Sequence, residues 1–176
     1  MTKAQASKAA WRWALAAPTN TIGSPGSSAF ITQLGSEYDA VFSFEGGGSA
    51  STPNADMVRL ATSSIAIVEM KVTGKASHAG AAPHLGRNAL YELSHQMLKS
   101  RNFGDPAKGL QINWTVANAG ASRNVIPAEA TAVADVRSLT NADLDLMEAA
   151  LKKSIEDKLI PATKIDLRFY RSRPAF

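Results

Sequence analysis

Three histidines, His78, His84 and His95, are the chain's only imidazoles, and no cysteine is present. They are the first candidates for metal or acid–base chemistry. His78 and His84 lie six residues apart in a stretch of Gly, Ala and Pro, which matches no helical ligand spacing. There is no His-Glu-x-x-His motif, no His followed two residues later by Asp, and no Glu-Glu pair. A tetrahedral zinc site needs several converging ligands, so spacing alone predicts no dinuclear metal site from this chain. Nucleophilic chemistry fares no better. A Gly-x-Ser-x-Gly elbow is absent, and Gly23-Ser24-Pro25-Gly26-Ser27-Ser28 lacks the lysine of a phosphate-binding loop.

Composition narrows the classes further. The chain has 176 residues, 45% hydrophobic and 19% charged, with a net charge of +4. That suits one compact domain, or one domain with an accessory segment, and excludes a largely disordered chain. Charges balance over residues 1–62, so the positive excess lies in 63–176. The excess is too dilute for a nucleic-acid footprint, and no apolar run is long enough for a transmembrane helix. Neither nucleic acid nor a membrane is expected as a partner. Met1–Asn20 makes a poor signal peptide because Arg12 interrupts its apolar stretch. The compartment stays open.

The elements fall into two halves. In residues 1–62, Ser24-Pro25 predicts the start of a helix over Pro25–Leu34, with Gly35 as its stop. The nearly continuous apolar run Tyr38–Glu45 predicts a parallel strand buried on both faces, without neighbours to pair with. Gly46–Ser51 reads as a flexible linker. This is an incomplete α/β segment.

Residues 63–176 are self-consistent. Ala66–Val72, Leu110–Asn118, Ala130–Arg137 and the stretch holding Ile165, Leu167 and Phe169 alternate with period two. In the second, Leu110, Ile112, Trp114 and Val116 are expected on the apolar face, opposite Gln111, Asn113 and Thr115. That polar face offers no aromatic platform for RNA. Two helices are predicted between the strands. One carries a stripe of Leu90, Leu93 and Met97; the other carries Leu144, Met147, Leu151 and Ile155, capped by Thr140 or Asn141. Strand-helix-strand-strand-helix-strand is an α+β, ferredoxin-like arrangement, with a four-stranded antiparallel sheet and two helices on one face.

Four ordered motifs in this half carry a resemblance. They are Gly74-Lys75-Ala76-Ser77-His78-Ala79-Gly80-Ala81-Ala82-Pro83 with Gly86-Arg87-Asn88-Ala89, then Ser122-Arg123-Asn124-Val125-Ile126-Pro127, Ala134-Asp135-Val136-Arg137, and Arg173-Pro174-Ala175-Phe176. Over roughly 100 residues they resemble the M20 family of zinc peptidases, nearest its folate-cleaving glutamate carboxypeptidase type. The resemblance implies that residues 63–176 are the lid, or dimerisation, domain. It also implies a homodimer through a sheet edge and adjoining helices.

Roles follow residue by residue from the same resemblance. His78 matches a lid histidine that reaches the active site of the opposite copy and stabilises an oxyanion. Asn124 and Arg137 match lid residues that bind the substrate's terminal carboxylate. Without the resemblance, His78 reads as an exposed loop histidine, Asn124 as a turn residue and Arg137 as a strand-face cation paired with an acid. Upstream, Glu45 matches one family zinc ligand. The family's Asp-Glu-Glu before a Gly-Ser segment is replaced by Asn20-Thr21-Ile22-Gly23-Ser24, and its His-x-Asp motif is missing. One ligand cannot hold a catalytic zinc, so zinc belongs to the parent family and is not expected to bind this chain stably.

The sequence thus reads as a truncated M20 carboxypeptidase, with residues 1–62 a remnant of the zinc-binding domain and 63–176 the lid. In the complete family enzyme, zinc-activated water hydrolyses an amide next to a C-terminal glutamate; this chain alone is expected to be inactive. Two alternatives stay open. The chain could supply its lid residues in trans to a separate catalytic protein, or it could bind anionic ligands such as glutamate or folate without catalysis.

Overall fold

A computed structural model describes residues 63–175 together with Ala29, Thr32, Gln33 and Ser36. The chain divides into two units, Met1–Gly46 and Gly47–Phe176. In the first, the four described residues are helical and exposed, as expected for one side of the predicted helix. Ser36 is still helical, one residue past the expected stop at Gly35, and its hydroxyl donates to the Gln33 carbonyl at 2.7 Å. The predicted strand over Tyr38–Glu45, the linker and the segment Met1–Thr19 lie outside the described residues.

The second unit runs β1 (Ser64–Thr73), β2 (Ser77–His78), α1 (Ala89–Ser100), β3 (Gln111–Ala119), β4 (Val125–Ile126), β5 (Glu129–Ser138), α2 (Asn141–Ser154) and β6 (Lys164–Arg173). Four strands form an antiparallel sheet in the order β3-β5-β1-β6, while β2 and β4 pair separately. This is the predicted α+β architecture. Period-two patterning drives it: Ala66, Val68, Met70 and Val72 of β1 and Ala130, Ala132, Ala134 and Val136 of β5 are all buried. They pack under Leu93 of α1 and Leu144, Met147 and Leu151 of α2. Burying each of the larger side chains contributes about 1.5–3 kcal/mol. Both helices start on side-chain caps, Asn88 accepting from the amides of Leu90 and Tyr91, and Thr140 from that of Asp143. Among the described residues, no helix is long and apolar enough to cross a membrane.

Two elements depart from the expected pattern. The β3–β5 register shifts between Trp114 and Val116, leaving Thr115 as the extra residue of a bulge. Trp114 stays on the helix side, its Nε1 donating to Ser100 Oγ at 3.0 Å. Val116 then pairs with Val133 on the open face and is 49% exposed. One extra residue reverses the alternation, so Val116 is not the apolar-face residue that strict period two predicts.

The second departure is in α1. Leu93 is buried and Met97 packs against the core, but Leu90 is 40% exposed, while Glu92 and Gln96 are wholly buried. The loop after α2 covers this side of the helix, and its backbone needs partners. Gln96 Nε2 donates to the Asp157 carbonyl at 2.9 Å and to Glu92 Oε1 at 2.8 Å. Glu92 Oε2 accepts the Ile160 amide at 2.6 Å. Polar side chains occupy these positions because a polar loop lies over them.

Outside the core, Arg171 of β6 reaches Asp145 and Glu148 of α2 at 2.6 and 2.8 Å, and Lys152 also holds Glu148 at 2.6 Å. Hydrogen bonds from Lys152 and then Arg171 hold the Glu148 carboxyl below the usual carboxylate range.

Two outcomes follow. Glu92→Ala strands the Ile160 amide and should cost about 2 kcal/mol or more in urea unfolding; a change under ~0.5 kcal/mol would show the loop is held by other contacts. Because the Glu148 pKa is depressed on folding, its contribution is present above the unfolded carboxylate value and is lost as pH falls through the lower folded value. Stability–pH curves for Arg171→Met should therefore be flatter than the parent's in that acidic window.

Candidate functional site

The segment between β1 and α1 is pinned along its length. The Gly74 amide donates to the Ala128 carbonyl at 2.7 Å, and Lys75 and Arg87 exchange backbone hydrogen bonds at 3.0 and 2.9 Å. A Cβ on Gly74 would sit on the Arg87 carbonyl oxygen, so only glycine permits this approach. Beyond it, Ser77 pairs with Ile126 and His78 with Val125. Gly86 fits against Ser77 Oγ and Ile126, which a Cβ would meet at 2.5 and 2.9 Å. The Ala89 amide then binds the Pro127 carbonyl at 3.0 Å, so α1 starts from the same anchor.

This small ladder brings His78 and Asn124 together. The Ala79 amide donates to the Asn124 carbonyl at 2.8 Å, and both residues are exposed. The chain then turns back on the imidazole. His78 Nδ1 accepts the amides of Gly80 at 3.2 Å and Ala81 at 3.0 Å, and the Ala82 amide binds the His78 carbonyl at 3.0 Å. The two ring contacts are a feature that motif reading passes over; its only sequence signal is the run of small residues Ala79-Gly80-Ala81, which lets the backbone close on the ring. Beside Asn124 lies a shallow cleft of about 310 Å³ lined by Gly120, Ser122, Val125, Pro127 and Glu129.

Arg137 is elsewhere. It lies near the end of β5, opposite Ile65 and Gln111, whereas Glu129 at the start of β5 pairs with Thr73, next to the His78 loop. At ~3.3 Å per residue, the length of β5 separates the two ends by about 25 Å. On the helix-free face, the Arg137 guanidinium forms a fork on Asp135, Nε to Oδ1 at 2.6 Å and Nη2 to Oδ2 at 3.0 Å. The Asp135 hydrogen bond is the main cause raising the Arg137 pKa, which partial burial opposes. The pairing expected of a plain strand-face cation is therefore realised. The guanidinium is still partly exposed, with 43% of its side chain open to solvent. An incoming carboxylate could take the fork in exchange for Asp135.

A metal finds little here. Among the described residues, no group of three or more His, Asp or Glu could hold one, and Glu45 lies outside them.

With this geometry in view, residues 60–163 match the family model of the peptidase dimerisation domain of the M20 group. The chain is 44% identical over 154 residues to carboxypeptidase G2 of Pseudomonas sp. (strain RS-16), covering 88% of this chain and 36% of that protein. It is also 44% identical over 71 residues to a p-aminobenzoyl-glutamate hydrolase homolog of Haemophilus influenzae, covering 40% of this chain and 17% of that one. Among solved structures, a putative aminohydrolase from methicillin-resistant Staphylococcus aureus shares the fold. It has a TM-score of 0.59 and 23% identity, covering 65% of this chain and 32% of that one. The chain thus spans about a third or less of the relatives it matches. It belongs to the M20 peptidase family, and its second half is that family's dimerisation domain.

Proposed function

We propose that residues 63–176 are a lid that joins two copies of this chain through β3 and α1. The single observation that carries this is the contrast between the two sheet edges. The edge strand β6 bears Lys164, Asp166, Arg168, Arg171 and Arg173, charges of the kind that blunt an edge. The other edge, β3, reads Gln-Ile-Asn-Trp-Thr-Val-Ala-Asn-Ala and carries no charge. Beside it, α1 packs on β1, β5 and β3 and leaves Tyr91 and Leu98 61% and 63% exposed. Those two residues are seven apart, on one side of the helix. A two-fold axis perpendicular to the sheet, passing beside β3, would pair it antiparallel with its copy and bring the two α1 helices together over these apolar residues.

The same assembly explains the separation of the candidate site residues. His78 and Asn124 sit at one end of the sheet and Arg137 at the other, too far apart for one lid to bring all three to one small substrate. We assign His78, with Asn124 beside it, to the partner copy's site and Arg137 to its own. There the guanidinium fork binds the substrate's terminal carboxylate, and His78 donates a hydrogen bond to the oxygen that gains charge in the tetrahedral intermediate. Residues 1–62 belong in this reading to the zinc-binding catalytic domain, with Glu45 at one ligand position. In the complete family enzyme the reaction these residues serve is hydrolysis of an amide beside a C-terminal glutamate; this chain alone is expected to be inactive. The matched hydrolases' names, carboxypeptidase and p-aminobenzoyl-glutamate hydrolase, support that substrate class.

Light scattering tests the assembly: the chain should have the mass of two copies, and Val116→Lys should weaken association at least tenfold, while Tyr170→Lys on β6 should not. A monomer at micromolar concentration, or equal loss from both changes, would overturn the β3 interface. For the carboxylate site, Arg137→Lys keeps the charge but loses the fork. It should weaken binding of an N-acylated glutamate about tenfold or more, read by titration calorimetry.

A further inference from the structure

We infer that the Gly80 and Ala81 amides fix the His78 imidazole in a single tautomer, bare at Nδ1 and protonated at Nε2, so that this loop makes His78 a dedicated hydrogen-bond donor. The inference rests on the oxyanion role proposed for His78 and names the groups that position it. The geometry is local. Both N–H groups approach Nδ1, at 3.2 and 3.0 Å, from residues two and three positions along the chain. A ring nitrogen that accepts two amide protons cannot carry its own proton, so in the neutral ring the proton sits on Nε2. Nε2 has no partner among the described residues, and His78 is exposed, so the Nε2–H is free to meet a ligand.

The turn also limits rotation of the ring. Two donors on one nitrogen set its plane, while the His78–Val125 pairing and the Ala79 amide on the Asn124 carbonyl hold the backbone beneath it. An oxyanion contact needs a donor already aimed at the place where charge develops, and a ring that exchanged tautomers would offer a bare nitrogen part of the time. Gly80 and Ala81 are thus positioning residues acting through their backbone. Their side chains are incidental: a Cβ on Gly80 would meet the His78 ring only at 3.7 and 3.8 Å, ordinary contact.

Nitrogen NMR on the full 15N-labelled chain, at a pH where the rings are neutral, tests this without activity. The expected spectrum shows His78 with one bare nitrogen, Nδ1, and one protonated nitrogen, Nε2. It also shows couplings across the hydrogen bonds from the Gly80 and Ala81 amide nitrogens to Nδ1. His84, whose ring makes no such bonds, is the internal reference for free exchange. Ala81→Pro, which removes one donor, should abolish the Ala81 coupling and move the His78 shifts toward those of His84; Gly80→Ala should leave the wild-type pattern. A protonated Nδ1, or His78 shifts averaged like those of His84 in the parent chain, would overturn the inference. So would an Ala81→Pro spectrum that is folded and unchanged at His78. Failure of the trans assignment would appear separately, as a chain that stays monomeric while the single tautomer persists.

Discussion

Small side chains at the centre of the sheet are the condition on which the rest of the domain depends. Ala66 on β1 and Ala130, Ala132 and Ala134 on β5 are at most 1% exposed. They let α1 and α2 settle close over the two central strands, and the larger Met70, Leu93, Leu144, Met147 and Leu151 fill the space between. Larger residues at the alanine positions would push the helices outward and open the seam. Because both central strands are hydrogen-bonded on both sides, β3 and β6 are the edges of this four-stranded sheet.

The ends of the central strands make the candidate site. β1 leaves the sheet at Thr73 and β5 enters it at Glu129, directly opposite, so the loops attached to them are held side by side. Gly74 and Gly86 tighten the first loop against the second, and the two-residue ladder β2–β4 seals the contact. His78 and Asn124, 46 positions apart in sequence, become neighbours through this sheet geometry. Arg137 is only 13 positions beyond Asn124, but those positions climb β5, which carries it to the opposite end. Sequence proximity and spatial proximity are inverted here, which is why the proposed site draws the three residues from two copies.

Charge follows the same division. Acid–base pairs on the surface, such as Lys71 with Glu129 at 3.0 Å and Arg171 with Asp145 and Glu148, lie on the sheet's open face or tie a helix to β6. Exposed pairs of this kind contribute little to stability. The edge strand β3 takes no part in them, since it carries no charged side chain. On the open face a depression of about 320 Å³ is bordered by Glu69, Lys71, Thr131, Asp166 and Arg168. Its mixed signs favour no single class of charged ligand.

The amino-acid sequence by itself determined the architecture: alternation with period two in four stretches and apolar stripes in two others leave few ways to bury those faces, and the structure adopts the expected one. Its motifs also determined the family, since runs such as Gly-Lys-Ala-Ser-His-Ala-Gly and Ser-Arg-Asn-Val-Ile-Pro mark the two loops that the fold brings together. Tertiary structure decided the rest, because each remaining feature depends on what lies opposite. Thr115 becomes a bulge through its pairing with β5, so Val116 faces outward although local alternation points it inward. Glu92 and Gln96 are buried, against their usual preference, because the loop over residues 155–163 presents backbone groups that only polar side chains can satisfy. The hydrogen-bonded state of the His78 ring and the distance to Arg137 are likewise set by folded contacts, which no pattern along the chain encodes.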